Sequence, residues 1–184
     1  QEFMQIVDKY RTMGVRTNAD TPEDTEQALK FGAEGIGLFR IEHMFYGKNS
    51  EAPLAILRKM ILSGSTEERK KWLNELQVYI KQSVKGTMKV MNGKPVTFRL
   101  IDPPLHEFVP HTEDKVAQLA EELGIKVSEL KERIEGLKEV NPMMGLRGVR
   151  LGISYPEISE TQFRALFEAE AEFRKEGNDP HLEI

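Results

Sequence analysis

Two periods of apolar residues alternate along this chain. Phe3, Ile6, Val7 and Tyr10 recur at helical spacing, which predicts a short amphipathic helix over 3–12, ended by Gly14. Val15-Arg16-Thr17-Asn18-Ala19 reads as a short strand whose end turns polar. Thr21-Pro22-Glu23-Asp24 then marks a helix start: a capping hydroxyl, proline in the first turn, and acids where the helix dipole favours them. That helix runs to Phe31 and stops at Gly32. Gly35 to Arg40 is apolar on both faces, as a buried parallel strand should be, and ends in an arginine. Glu42, His43 and a Phe45-Tyr46-Gly47 loop follow. Strand, helix and strand in this order predict a βαβ unit.

The same layout returns further on. A short helix is expected over 53–62. A long one follows, capped at Ser65 or Thr66, with Trp72, Leu76, Tyr79, Ile80 and Val84 as its apolar stripe. After the Asn92-Gly93 turn, residues 95–101 read as a strand that also delivers an arginine, Arg99, before Asp102-Pro103-Pro104 stops it. Residues 112–139 alternate at helical spacing with a break at Gly124, which predicts an inserted αα-hairpin. Asn141 to Arg150 is a third segment rich in glycine and arginine. A last helix is expected over 159–175 with Phe163, Leu166, Phe167 and Ala171 inward. A turn at 177–180 and the first residues of a strand at His181–Ile184 complete the pattern.

Composition narrows the function classes. The 184 residues are enough for one domain with a real core. A net charge of −4 with no basic run argues against nucleic acid as a partner. No apolar run approaches the ~18–20 residues needed to cross a bilayer, and the first residues lack the features of a signal peptide. There is no cysteine, so disulfides, thiolate metal sites and a cysteine nucleophile or acid are excluded within these residues. A cytoplasmic setting is the expectation. The chain begins with Gln1 in place of Met, so it reads as a processed or excised piece.

The candidate chemistry lies in Arg40, Arg99 and Arg147. On the βα reading the first two emerge at the same end of the sheet. Converging guanidiniums there would hold a small multiply charged anion, phosphate or carboxylate. Alternatively, Glu42 pairs with Arg40 and Asp102 with Arg99, and the pairs only tie down loops. Both readings hold together if the acids orient the arginines. His43, His106, His111 and His181 share no metal-ligand spacing. The glycines of 32–37 enter a strand and do not open a helix, so they fail as a nucleotide loop.

Three stretches carry a resemblance: Gly32-Ala-Glu-Gly-Ile-Gly-Leu-Phe-Arg-Ile-Glu-His-Met-Phe45, Thr97-Phe-Arg-Leu-Ile-Asp-Pro-Pro-Leu-His-Glu-Phe108 and Asn141-Pro-Met-Met-Gly-Leu-Arg-Gly-Val-Arg-Leu-Gly152. In this order they resemble the phosphoenolpyruvate-utilising phosphotransferases, across essentially the whole chain. The Asp-Pro-Pro-Leu-His-Glu-Phe form is similar to the dikinase branch. Phosphoenolpyruvate synthase and the enzyme I of the sugar phosphotransferase system differ there.

The resemblance implies the N-terminal part of a (β/α)8 TIM barrel with helical insertions, its site at the C-terminal ends of the strands. It implies residues 1–13 as a linker helix and 14–184 as a partial barrel, from the first strand to the start of the fourth, with the insertion at about 112–139. Phosphoenolpyruvate and pyruvate would there exchange a phosphoryl group with a phosphohistidine on a separate swivelling domain. In the dikinase reaction, ATP, pyruvate and phosphate interconvert with AMP, phosphoenolpyruvate and diphosphate. Arg40, Arg99 and Arg147 would bind substrate, supported by Glu42, Asp102 and Asn18. The family's magnesium ligands and its cysteine acid match no motif in this chain. It is therefore expected to be inactive alone, within a magnesium-dependent, homodimeric parent. The alternatives are a phosphoenolpyruvate synthase or enzyme I-like phosphoenolpyruvate phosphotransferase, or a non-catalytic anion-binding or oligomerisation module.

Overall fold

The computed structural model of the chain describes residues 2–47 and 50–184. The helices are α1 (Glu2–Asp8), α2 (Pro22–Lys30), α3 (Glu51–Ile61), α4 (Thr66–Val90), α5 (Glu113–Leu123), α6 (Val127–Gly136), α7 (Gly148–Ser154) and α8 (Pro156–Lys175). The strands are β1 (Arg16–Asn18), β2 (Gly35–Arg40), β3 (Pro95–Arg99) and β4 (His181–Glu183). They form one parallel sheet in chain order, so every connection is a crossover through helix. This is the expected α/β class. Among the described residues β1 and β4 each pair on one side only.

Local chemistry fixes the helix starts. Thr21 Oγ1 accepts from the Asp24 N–H at 3.1 Å, and Ser65 Oγ from the Glu68 N–H at 3.1 Å, so Ser65 is the cap of the long helix. The insertion folds as the expected hairpin of α5 and α6, turned at Gly124 with φ 67°.

A single layer of helices covers one face of the sheet. Ile36, Phe39, Val96 and Phe98 meet Leu73, Leu76, Ile80 and Val84 of α4 and Ala165, Leu166, Ala169 and Phe173 of α8 in one core. The Phe39 and Phe98 rings lie 5.0 Å apart. The other face is open and polar, which corrects the expectation that β2 is buried on both sides: Gly37 is exposed and Leu38 half-buried. Across this face Arg16 Nη1 of β1 reaches Glu183 Oε2 of β4 at 2.5 Å, and Thr97 Oγ1 donates to the same oxygen at 2.6 Å. Edge strands of a flat four-stranded sheet stand roughly 14 Å apart, so this contact requires the sheet to curl toward its open face. Gly37 makes room for it, since a Cβ there would stand 3.2 Å from the Arg16 Cβ.

Other expectations need correction. Helix α1 ends at Asp8 and buries none of its residues; Phe3, Ile6 and Tyr10 face solvent. Arg11 turns the chain out of it, donating to Asp8, to the Met13 carbonyl and in a fork to Glu34. On α8 the inward side is Ile158, Thr161, Gln162, Ala165, Leu166, Ala169 and Phe173. Phe163 and Phe167 stack on each other outside the core, and Ala171 is exposed as well. The aromatic pair is more hydrophobic than the alanines, but only the alanine stripe lets α8 approach α4 closely. Strand β3 ends at Arg99. Beyond it the Ile101 N–H donates to the buried Gln162 Oε1 at 2.7 Å, a side-chain acceptor where a strand partner would stand. Helix α7 was not visible in the apolar pattern.

Candidate anion-binding site

The register of β2 and β3 sets Arg40 opposite Arg99 at the C-terminal edge of the sheet. Two like charges directly opposite repel, so each needs its own acid. Those acids come from the loops that follow the strands.

Arg40 is held by Asp20, two residues beyond β1. Its backbone N–H and Nε donate to Asp20 Oδ1 at 2.7 and 3.3 Å, and Nη2 meets Oδ2 at 2.9 Å. His43 Nδ1 sits 3.0 Å from the same Oδ2. Arg99 is held by Glu42, which the 3-10 turn Ile41–Phe45 folds inward until it is 2% exposed; its Oε1 accepts from Arg99 Nη2. Arg147 is held by Asp102, with Nη2 2.5 Å from Oδ2 and Nε 3.1 Å from the carbonyl. The same Asp102 Oδ2 lies 3.7 Å from Arg99 Nη1. Gly148, at φ 53°, turns the chain from Arg147 into α7, a backbone conformation that suits glycine.

The pairing therefore differs from the expected one. Glu42 does not hold Arg40 but reaches across to Arg99, and Asp102 is shared between Arg99 and Arg147. Each acid secures the arginine of the next unit along the chain: Asp20 after β1 holds the arginine of β2, and Glu42 after β2 that of β3. Asp102 after β3 holds the arginine that precedes α7. Asn18 ends β1 at this edge, is exposed, and makes no side-chain hydrogen bond to the arginines among the described residues. Asp20 and His43 were missed as members of the cluster. Their signal lay in position: an acid follows Asn18, Arg40 and Arg99 within two or three residues.

Some bonding capacity stays unused. Arg99 Nε and Glu42 Oε2 are buried without a partner among the described residues. Arg40 commits its Nε and Nη2 to Asp20 and leaves Nη1 without a partner among the described residues. Beside the cluster a cavity of about 490 Å³ opens, lined by Arg99, Asp102, Leu151, Ile153, Ile158 and Gln162 among others. Its size suits a small molecule. On the far side Tyr46 lies over Phe108, and burial, then Glu107 and Glu42, push its phenol pKa up. The three arginines and three acids balance in formal charge. No group of three His, Asp or Glu side chains among the described residues is arranged to hold a metal, and each acid of the cluster is already engaged by an arginine. These residues do not fit magnesium.

The profile of the PEP-utilising enzymes, PEP-binding domain, matches residues 1–181. The pyruvate, phosphate dikinase of Clostridium symbiosum is 51% identical over 176 residues, which cover 96% of this chain and 20% of that protein. That of Giardia intestinalis is 51% identical over 177 residues, covering 96% and 20%. The chloroplastic pyruvate, phosphate dikinase 1 of Arabidopsis thaliana is 50% identical over 179 residues, covering 96% and 18%. The chain thus spans about a fifth of the length of these relatives. With its parallel α/β sheet and a family profile matched over residues 1–181, the chain belongs to the PEP-binding domain family of the PEP-utilising enzymes.

Proposed function

We propose that this chain contributes the phosphoenolpyruvate/pyruvate-binding arginines of a pyruvate phosphate dikinase. The observation that carries this reading is the opposed pair Arg40 and Arg99, with Arg147 drawn to the same edge through Asp102. Phosphoryl and carboxylate oxygens are the anions that planar guanidinium forks fit best. In a loose phosphoryl transition state, charge spreads over the transferring oxygens, and fixed cations stabilise it without having to reorganise. The acids supply the fixing. Arg40 Nη1, without a hydrogen-bond partner among the described residues, is a donor left for the ligand.

The curl of the sheet and its chain-order parallel strands support the opening part of a (β/α)8 barrel, with the arginines at the C-terminal edge where such barrels carry their sites. A cluster of three arginines matched by three acids offers no net positive charge to a multiply charged phosphoenolpyruvate. The parent enzyme therefore needs a further cation, and the magnesium that the resemblance implies would supply it from residues outside this chain; no step here is routed through it. A phosphohistidine on a swivelling domain delivers and receives the phosphoryl group. We read the working form as a cytoplasmic homodimer, and the apolar residues left exposed on α1 and α8 offer surface that further protein can cover.

The test is isotope exchange between pyruvate and phosphoenolpyruvate, measured for the whole protein that carries this chain and for the chain by itself with added phosphorylated histidine domain and magnesium. Exchange by the first and none by the second is expected. No exchange by the whole protein overturns the reading, and exchange by the chain alone overturns the claim that it lacks essential groups.

A further inference from the structure

We infer that Asp20 is the positioning residue of Arg40, turning its guanidinium toward the anion; the inference rests on the reading of Arg40 as an anion-binding arginine. Two hydrogen bonds, from the Arg40 backbone N–H at 2.7 Å and from Arg40 Nε at 3.3 Å, end on Asp20 Oδ1, and Arg40 Nη2 and His43 Nδ1 stand 2.9 and 3.0 Å from Oδ2. Both oxygens of this carboxylate are thus engaged by groups of the protein itself. Its role is therefore exerted through the groups it holds.

The hold is specific. Asp20 grips both ends of one residue, its backbone N–H and its guanidinium, which pins the intervening side-chain torsions. The Nε–Nη2 edge is occupied, and Nη1 has no hydrogen-bond partner among the described residues. Asp20 itself is fixed from both sides. The Ala19 N–H donates to the Leu38 carbonyl at 3.3 Å, continuing the β1–β2 pairing, and Thr21 caps α2. The side chain is 12% exposed, which keeps water from competing for its oxygens. Glu42 and Asp102 hold Arg99 and Arg147 from the same place relative to their strands, so Asp20 completes a repeated arrangement. A group placed this way is worth activity because a guanidinium displaced by an ångström loses its alignment with the transferring oxygens.

The experiment is a double-mutant cycle in the whole protein, with Asp20→Asn, Arg40→Lys and both together, read as the rate and KM of phosphoenolpyruvate–pyruvate exchange. Asp20→Asn is nearly isosteric and keeps an acceptor for the Arg40 N–H, so the fold should survive; thermal melting checks this. The expected result is a loss of about tenfold or more in the rate for Asp20→Asn alone. Arg40→Lys should lose more, and the double variant no more than Arg40→Lys. If the two losses multiply, or if Asp20→Asn exchanges like the wild type, the inference is overturned while the function reading stands. If the wild-type protein itself does not exchange, the function reading fails and takes this inference with it.

Discussion

Arg99 sits 39% exposed at the edge of β3, while the Glu42 that holds it is 2% exposed and comes from the loop after β2. In the proposed function the arginine meets the ligand, and the buried acid anchors it. That asymmetry separates a built site from a surface ion pair, in which both partners would be wet and the pair would contribute little.

It predicts that Glu42 matters more than its sequence neighbourhood suggests. Glu42→Gln should destabilise the chain by about 1–3 kcal/mol, because the buried charge that pairs with Arg99 is removed while the guanidinium stays. Glu135→Gln, at an exposed pair with Lys138, should change stability by less than about 0.5 kcal/mol. Urea titrations of the two variants and the wild type check this; equal effects would mean that Glu42 is an ordinary loop tie.

Helix α8 gives a second prediction. Leu166 is fully buried and Phe167 is 53% exposed. Leu166→Ala should cost about 2–5 kcal/mol. Phe167→Ala should cost under about 1 kcal/mol in this chain. Comparable losses in denaturant melts would restore the phase expected from the sequence, which put both residues inward.

A third concerns acid. The Arg11 guanidinium and then the Val15 N–H hold the Glu34 carboxyl well below its ordinary value of 4.5, at about 2. A carboxylate whose folded pKa lies below its unfolded one adds stability that is fully present above the unfolded value. That stability is lost as pH falls toward the folded one. The gap in melting temperature between wild type and Glu34→Gln should therefore be constant from neutral pH down to about 5 and close between about 4.5 and 2. A gap unchanged at pH 2 would sever Glu34 from Arg11.

Much of this architecture is legible in the chain. The strand Gly35–Arg40, the caps Thr21 and Ser65 and the hairpin around Gly124 follow from local rules that tertiary packing does not override. The opposition of Arg40 and Arg99 follows from two strands ending in arginine. Which acid holds which arginine follows only in part: Asp102 does meet Arg99 as sequence proximity suggests, but it also holds Arg147, and Glu42 passes over Arg40 to Arg99. Asp20 was hidden for the same reason: its partner lies twenty residues away. On α8 the aromatic residues drew the predicted face, whereas close helix packing selects Ala165 and Ala169. Helix α7 follows a positive-φ glycine and is too short for a periodic signal.

The most direct test of the anion site is Arg99→Lys in the whole protein, followed by phosphoenolpyruvate–pyruvate exchange. Lysine keeps the charge and loses the planar fork that meets Glu42 and the ligand together. The account predicts a fall in exchange rate of about two orders of magnitude or more with the fold retained. Exchange near the wild-type rate would contradict it and leave Arg99 as a structural tie to Glu42.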